Sequence, residues 1–144
     1  MLVQQILKSK GEHKVVTVKP GTRVSDAAQT LAERRIGVLV VSTDGVKVEG
    51  VISERDIVRS LGVRGAGCLS ETIEEMMTAN PVCCTLQDGS DAVLARMTDG
   101  RFRHMPVVED GKLVGIVTIG DVVKARLQEL SMEKDALEGM IMGY

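Results

Sequence analysis

The chain has 144 residues, 44% of them hydrophobic and 26% charged, with a formal net charge of −2. That balance excludes a disordered chain and fits one compact domain or two small halves sharing a core. One Tyr, one Phe, no Trp and a slightly negative charge remove both the electrostatic footprint and the stacking platforms of most nucleic-acid binders, so nucleic acid is not an expected partner.

No apolar run approaches the roughly 20 residues that a bilayer demands, and the amino terminus lacks a basic, apolar, cleavable pattern. The expected compartment is the cytoplasm, with no membrane partner. Three cysteines, an odd number, fit a reduced compartment. Cys83 and Cys84 are adjacent in an apolar run, where successive side chains point to opposite faces, so they neither pair nor chelate together. With Cys68 alone in a glycine-rich connector and only two histidines, no metal site is expected.

In chain order, a short amino-terminal helix precedes a strand at Val15-Val16-Thr17-Val18. An amphipathic helix follows, with Val24, Ala27, Ala28, Leu31 and Ala32 on one face. A strand from Ile36 to Val41 and another from Gly50 to Ser53 flank an Asp44-Gly45 turn, and a helix covers Ile57 to Leu61. Gly62 to Gly67 is dense in glycine but follows a helix and lacks the order of a dinucleotide loop, so it reads as a linker. Ser70 to Thr78 reads as a short helix closed by Asn80-Pro81. A strand at Pro81 to Cys84, a helix with Val93, Leu94 and Met97, two strands around Asp110-Gly111 and a helix from Val122 to Leu130 complete the second set. In the tail, Val123, Leu127, Leu130, Lys134, Leu137 and Ile141 alternate by four and three, a heptad-like seam expected to pack on its own module or on a second subunit.

The second set repeats the first. Gly50-Val51-Ile52-Ser53-Glu54-Arg55-Asp56 returns 65 residues later as Gly115-Ile116-Val117-Thr118-Ile119-Gly120-Asp121, and the upstream strands recur at an offset of 66 because the first turn holds one extra residue. The expected division is a first repeat with its amino-terminal helix over 1–65, a connector over 66–80, a second repeat over 81–130 and a tail over 131–144.

Ser53-x-x-Asp56 and Thr118-x-x-Asp121 each match a capping box, in which a hydroxyl and a carboxylate satisfy the free amides of a helix's first turn. The same atoms suit a nucleotide. A helix amino terminus offers N–H groups and a favourable potential to phosphate, and a carboxylate accepts both hydrogen bonds of a ribose diol. Arg101, Arg103 and His104 head the strand where the first copy has Ile36-Gly37-Val38, which is either a solvated strand end or an anion clamp that Arg55 could join.

Together, the paired Gly-h-h-Ser/Thr-x-x-Asp segments (h, hydrophobic), the Arg103-His104-Met105-Pro106-Val107-Val108 strand and the strand-helix-strand-strand-helix order resemble a tandem cystathionine β-synthase (CBS) domain pair, or Bateman module, over roughly Val15 to Arg126. The resemblance implies an α/β fold (α+β) of two β-α-β-β-α repeats about a pseudo-two-fold axis, with two clefts between them, plus a carboxy-terminal helix. It implies that one cleft combines Thr118 and Asp121 with Arg103 and His104 for ribose and phosphate, and Lys14, Val16, Ile36 and Gly37 around adenine. The other would combine Ser53, Arg55 and Asp56 with Asn80, Val82 and Phe102. Cys83-Cys84 and Gly37-Val38 depart from the family pattern, and the latter makes the clefts unequal in charge.

The expected function is then regulatory, not enzymatic: sensing AMP, or ADP or ATP, and signalling to an unidentified partner protein, from a homodimer and with no metal required. Two readings stand beside it: an NAD(H) or other adenosyl-ligand sensor, and a ligand-free structural dimerisation module.

Overall fold

A computed structural model of the protein describes residues 1–11 and 14–143. Its elements run α1 (Val3–Lys10), β1 (Thr17–Val18), α2 (Val24–Arg34), β2 (Val38–Val41), β3 (Gly50–Ser53), α3 (Glu54–Arg64), β4 (Thr78–Ala79), α4 (Ser90–Gly100), β5 (His104–Glu109), β6 (Lys112–Thr118) and α5 (Ile119–Met142). Two short 3-10 turns, Ala66–Ser70 and Ile73–Glu75, lie between α3 and β4.

The duplication is visible bond by bond. α2 buries Val24, Ala27 and Leu31, and α4 buries Val93 and Met97, the apolar stripes expected from their spacing. Each helix is closed by a left-handed arginine, Arg35 at φ 53° and Arg101 at φ 56°. The next residue then bonds back into its helix, Ile36 N–H to the Leu31 carbonyl and Phe102 N–H to that of Met97, donors and acceptors both 66 apart. Glu54 N–H donates to the Gly37 carbonyl at 2.9 Å, and Ile119 N–H to that of Arg103 at 2.8 Å. The two copies are thus related by a pseudo-two-fold axis.

The first copy carries a four-stranded sheet in the order β1-β2-β3-β4, with β1 parallel to β2 and the other neighbours antiparallel. In the second, β5 and β6 pair antiparallel, while the strand expected at 81–84 is reduced to one parallel bridge between Cys84 and Val107. Pro106 explains the loss. Val40 N–H donates to the Val16 carbonyl and Ser42 N–H to that of Val18; the counterpart of Ser42, Val108, donates to Cys84, but the counterpart of Val40 is Pro106, which has no N–H.

Each copy has its own core, one around Leu39, Val41, Ile52 and Ile57, the other around Met105, Val107, Val117 and Val122. The segments leading into the copies are exchanged relative to expectation. α1, grouped with the first repeat, buries Val3 and Ile6 in the second core. The connector, in turn, seats Ile73 in the first core and pairs β4 with β3. No α-helix forms from Ser70 to Thr78, and α3 runs on to Arg64 through the first glycine of the supposed linker.

The two leaders are equivalent at an offset of 70: Val3 N–H donates to Asp88 O and Ile73 N–H to Thr22 O, both at 2.9 Å. They also explain the glycine that opens each repeated motif. A Cβ on Gly50 would lie 2.8 Å from Met77 Sδ, and one on Gly115 would lie 2.8 Å from Leu7 Cδ1, because the leader crosses directly over the strand.

α5 continues past the second core to Met142. Its seam does not pack on its own module: Leu127, Leu130, Leu137 and Ile141 are 62, 50, 59 and 83% exposed. Among the described residues, no helix is long and apolar enough to cross a membrane.

Candidate ligand cleft between the repeats

Both capping boxes form. Ser53 Oγ accepts from Asp56 N–H at 3.3 Å and Thr118 Oγ1 from Asp121 N–H at 3.2 Å. In return Asp56 Oδ2 accepts from Ser53 N–H at 2.8 Å and Asp121 Oδ2 from Thr118 N–H at 2.9 Å. Ser53 Oγ–H additionally donates to Asp56 Oδ2 at 3.0 Å. Each carboxylate spends Oδ2 on its cap, and among the described residues neither Oδ1 has a partner, so capping leaves an acceptor free for a ligand.

Between the copies lies a cleft of about 1450 Å³. Lys14, Val16, Ile36 and Gly37 of the first copy line one side, and His104 and Thr118 of the second line the other. These are six of the residues expected around one nucleotide. Asp121 bonds to Thr118 and to a further lining residue, Lys10, and so joins them. The volume exceeds the usual 300–1,000 Å³ of small-molecule sites, so an adenosyl ligand has room.

His104 sits where the copies meet. A Cβ on Gly37 would lie 3.5 Å from His104 Nε2 and 3.4 Å from Glu54 Oε1, so the glycine lets the imidazole of the second copy approach beside the start of α3. Burial pushes the His104 imidazole below its ordinary value, with Glu54 and Asp56 pulling the other way and Lys10 and Arg103 reinforcing the drop. The shift favours the neutral ring at pH 7.

Lys10, at the end of α1, was not among the expected site residues. Its Nζ donates to Asp121 Oδ2 at 2.7 Å and to the Ile116 carbonyl at 3.0 Å. Burial alone would raise the Asp121 carboxyl, but the Lys10 and Thr118 hydrogen bonds outweigh it and hold the group below the ordinary carboxylate value. No local pattern marks Lys10, because its partner Asp121 lies 111 positions away.

The remaining expected residues are more scattered. Arg103 is exposed and holds α5 through its carbonyl, and Arg55 is exposed on α3. Asn80 is exposed in a left-handed conformation at φ 48°, Val82 is half-exposed, and Phe102 packs on the second core. Of the second set, the structure brings Ser53 and Asp56 into direct contact. The thiols lie elsewhere: burial raises Cys83 and pushes Cys84 up to about 12, and Cys68 is buried in the first 3-10 turn.

The model of the CBS domain matches residues 8–63 and 73–128, one match on each copy. The chain belongs to the CBS-domain family. A CBS domain-containing protein of Arabidopsis thaliana, CBSX3, mitochondrial, is 32% identical over 98% of this chain and 72% of its own length. Among solved structures, the CBS-domain containing protein ATU1752 from Agrobacterium tumefaciens is 45% identical, covering 88% of this chain and 99% of its own, with a TM-score of 0.82. PAE2072 from Pyrobaculum aerophilum, a CBS domain protein complexed with AMP, is 25% identical over 92% of this chain and 99% of its own, with a TM-score of 0.78. The CBS domain pair of protein MJ0100, in complex with 5′-methylthioadenosine and S-adenosyl-L-methionine, is 28% identical over 90% of this chain and 98% of its own, with a TM-score of 0.77.

Proposed function

We propose that this CBS pair is a regulatory module that binds AMP, or the related ADP or ATP, in the cleft between its repeats and signals occupancy to a partner protein. The observation that carries the reading is the convergence of Lys14, Val16, Ile36 and Gly37 with His104 and Thr118 on one cleft. Adenine rests against Val16 and Ile36, the free Oδ1 of Asp121 accepts the ribose diol, and Thr118, His104 and the cleft lysines meet the phosphate. Charge-assisted bonds of about 1.5–3 kcal/mol each suffice for micromolar affinity once ordering costs are subtracted. Relatives of the same fold, one complexed with AMP and one with 5′-methylthioadenosine and S-adenosyl-L-methionine, support an adenosyl ligand as the class.

The module acts without catalysis, in the cytoplasm and as a homodimer, and transmits occupancy because the ligand favours one arrangement of the halves over another. NAD(H) is the second reading for the same cleft, its AMP half occupying the same contacts.

Titration calorimetry tests the assignment. The wild type is expected to bind AMP with micromolar affinity, and Asp121→Ala to weaken it tenfold or more. Absence of heat with AMP, ADP, ATP and NADH in the wild type removes the reading and leaves the ligand-free dimerisation module.

A further inference from the structure

Lys10 carries more than a structural ion pair. Its ammonium has three donors, and two are committed, to Asp121 Oδ2 at 2.7 Å and to the Ile116 carbonyl at 3.0 Å. Among the described residues the third has no acceptor. These two bonds fix the nitrogen in place, with the lysine side chain 24% exposed and Asp121 21% exposed, so little rotamer entropy is left to lose when a ligand arrives. Lys10 also lines the cleft, together with Lys14 and Arg34, and no Asp or Glu is among the described residues that line it. Asp121, the carboxylate beside them, is neutralised by Lys10 itself.

We propose that Lys10 is the specificity-determining residue of this cleft: it holds Asp121 for the ribose with one donor and presents another to the ligand's phosphate, thereby selecting phosphorylated adenosyl ligands over neutral or cationic ones. The inference rests on the nucleotide reading above and narrows it. A nucleoside or a thioether such as 5′-methylthioadenosine leaves that donor unpaired, and a sulfonium ligand meets a wall of like charge. The other half of the molecule lacks the device. Its leader matches this one as far as Met77, which covers Gly50 as Leu7 covers Gly115, but it then runs as strand β4 where α1 stays helical, and among the described residues Asp56 has no ion pair like that of Asp121 with Lys10. Charge selection therefore belongs to the cleft that Lys10 lines.

The test compares AMP with adenosine by calorimetry on the full chain, using wild type, Lys10→Met and Lys10→Arg. Wild type is expected to prefer AMP. Lys10→Met is expected to weaken AMP about tenfold or more while adenosine changes less than threefold, and Lys10→Arg is expected to retain the preference. Should the methionine variant melt early, Lys10→Gln carries the same comparison. Equal weakening of both ligands would mean that Lys10 only positions Asp121, and an unchanged ratio would mean that it does not meet the phosphate; either overturns the proposal while the nucleotide reading stands. A wild type that binds neither ligand overturns both.

Discussion

Burial favours the neutral form of His104, and the direction of that shift sets a pH dependence. A folded-state value below the ordinary 6.5 means that unfolded chains bind more protons as the pH falls through that region. The stability contributed by His104 is therefore complete above about 6.5 and is lost below it. Urea unfolding at pH 7 and pH 5.5 checks this: wild type is expected to lose more stability than His104→Gln across the interval, and equal losses would contradict the account. Asp121 has the opposite chemistry but the same slope. As a carboxylate with a lowered value, it contributes stability above about pH 4 that disappears as Lys10 and Thr118 lose their acceptor. Both residues were legible in the sequence, because a capping box and a basic strand end are local patterns. The partnership of Asp121 with Lys10 was not, since it joins residues 111 positions apart through a helix assigned to the other repeat.

The helices and hairpins of the two repeats followed from their own spacing, doubled by the 65- and 66-residue offsets, whereas the helix expected from Ser70 to Thr78, which has no such second copy, does not form. Asp110 and Gly111 adopt the paired positive φ of 50° and 76° that an Asp-Gly hairpin turn demands. The packing of the leaders was not legible, because their equivalence rests on a few positions, chiefly Leu2 with Thr72 and Val3 with Ile73, too few for a periodic pattern. The strand at 81–84 failed for a nearer cause, the missing N–H of its partner Pro106. The exchange of leaders has an energetic consequence. Ile6 is 2% exposed inside the second core, so Ile6→Ala is expected to cost about 2–4 kcal/mol in urea unfolding. If α1 belonged to the first repeat as a surface helix, the cost would stay below about 0.5 kcal/mol.

Across the whole molecule, duplication produced two chemically unequal halves. Ser53 and Asp56 reproduce the backbone hydrogen bonds of Thr118 and Asp121, yet Gly37 stands against His104, and among the described residues Asp56 has no ion pair like that of Asp121 with Lys10. Both halves thus keep their caps, while the cleft that His104 and Thr118 line also carries Lys10, Lys14 and Arg34. α5 extends from the second capping box into an exposed apolar tail, so movement at Thr118 and Asp121 has a rigid path to the molecular surface. Such a path transmits a signal only when the ligand prefers one arrangement of the helix over another.

The crystal structure of the protein grown with AMP is the most direct measurement. The account predicts one nucleotide in the inter-repeat cleft, its ribose hydroxyls on Asp121, its base against Val16 and Ile36, and its phosphate within hydrogen-bonding distance of Lys10 or His104. An unfilled cleft at saturating AMP, or a nucleotide bound away from Asp121, would contradict it.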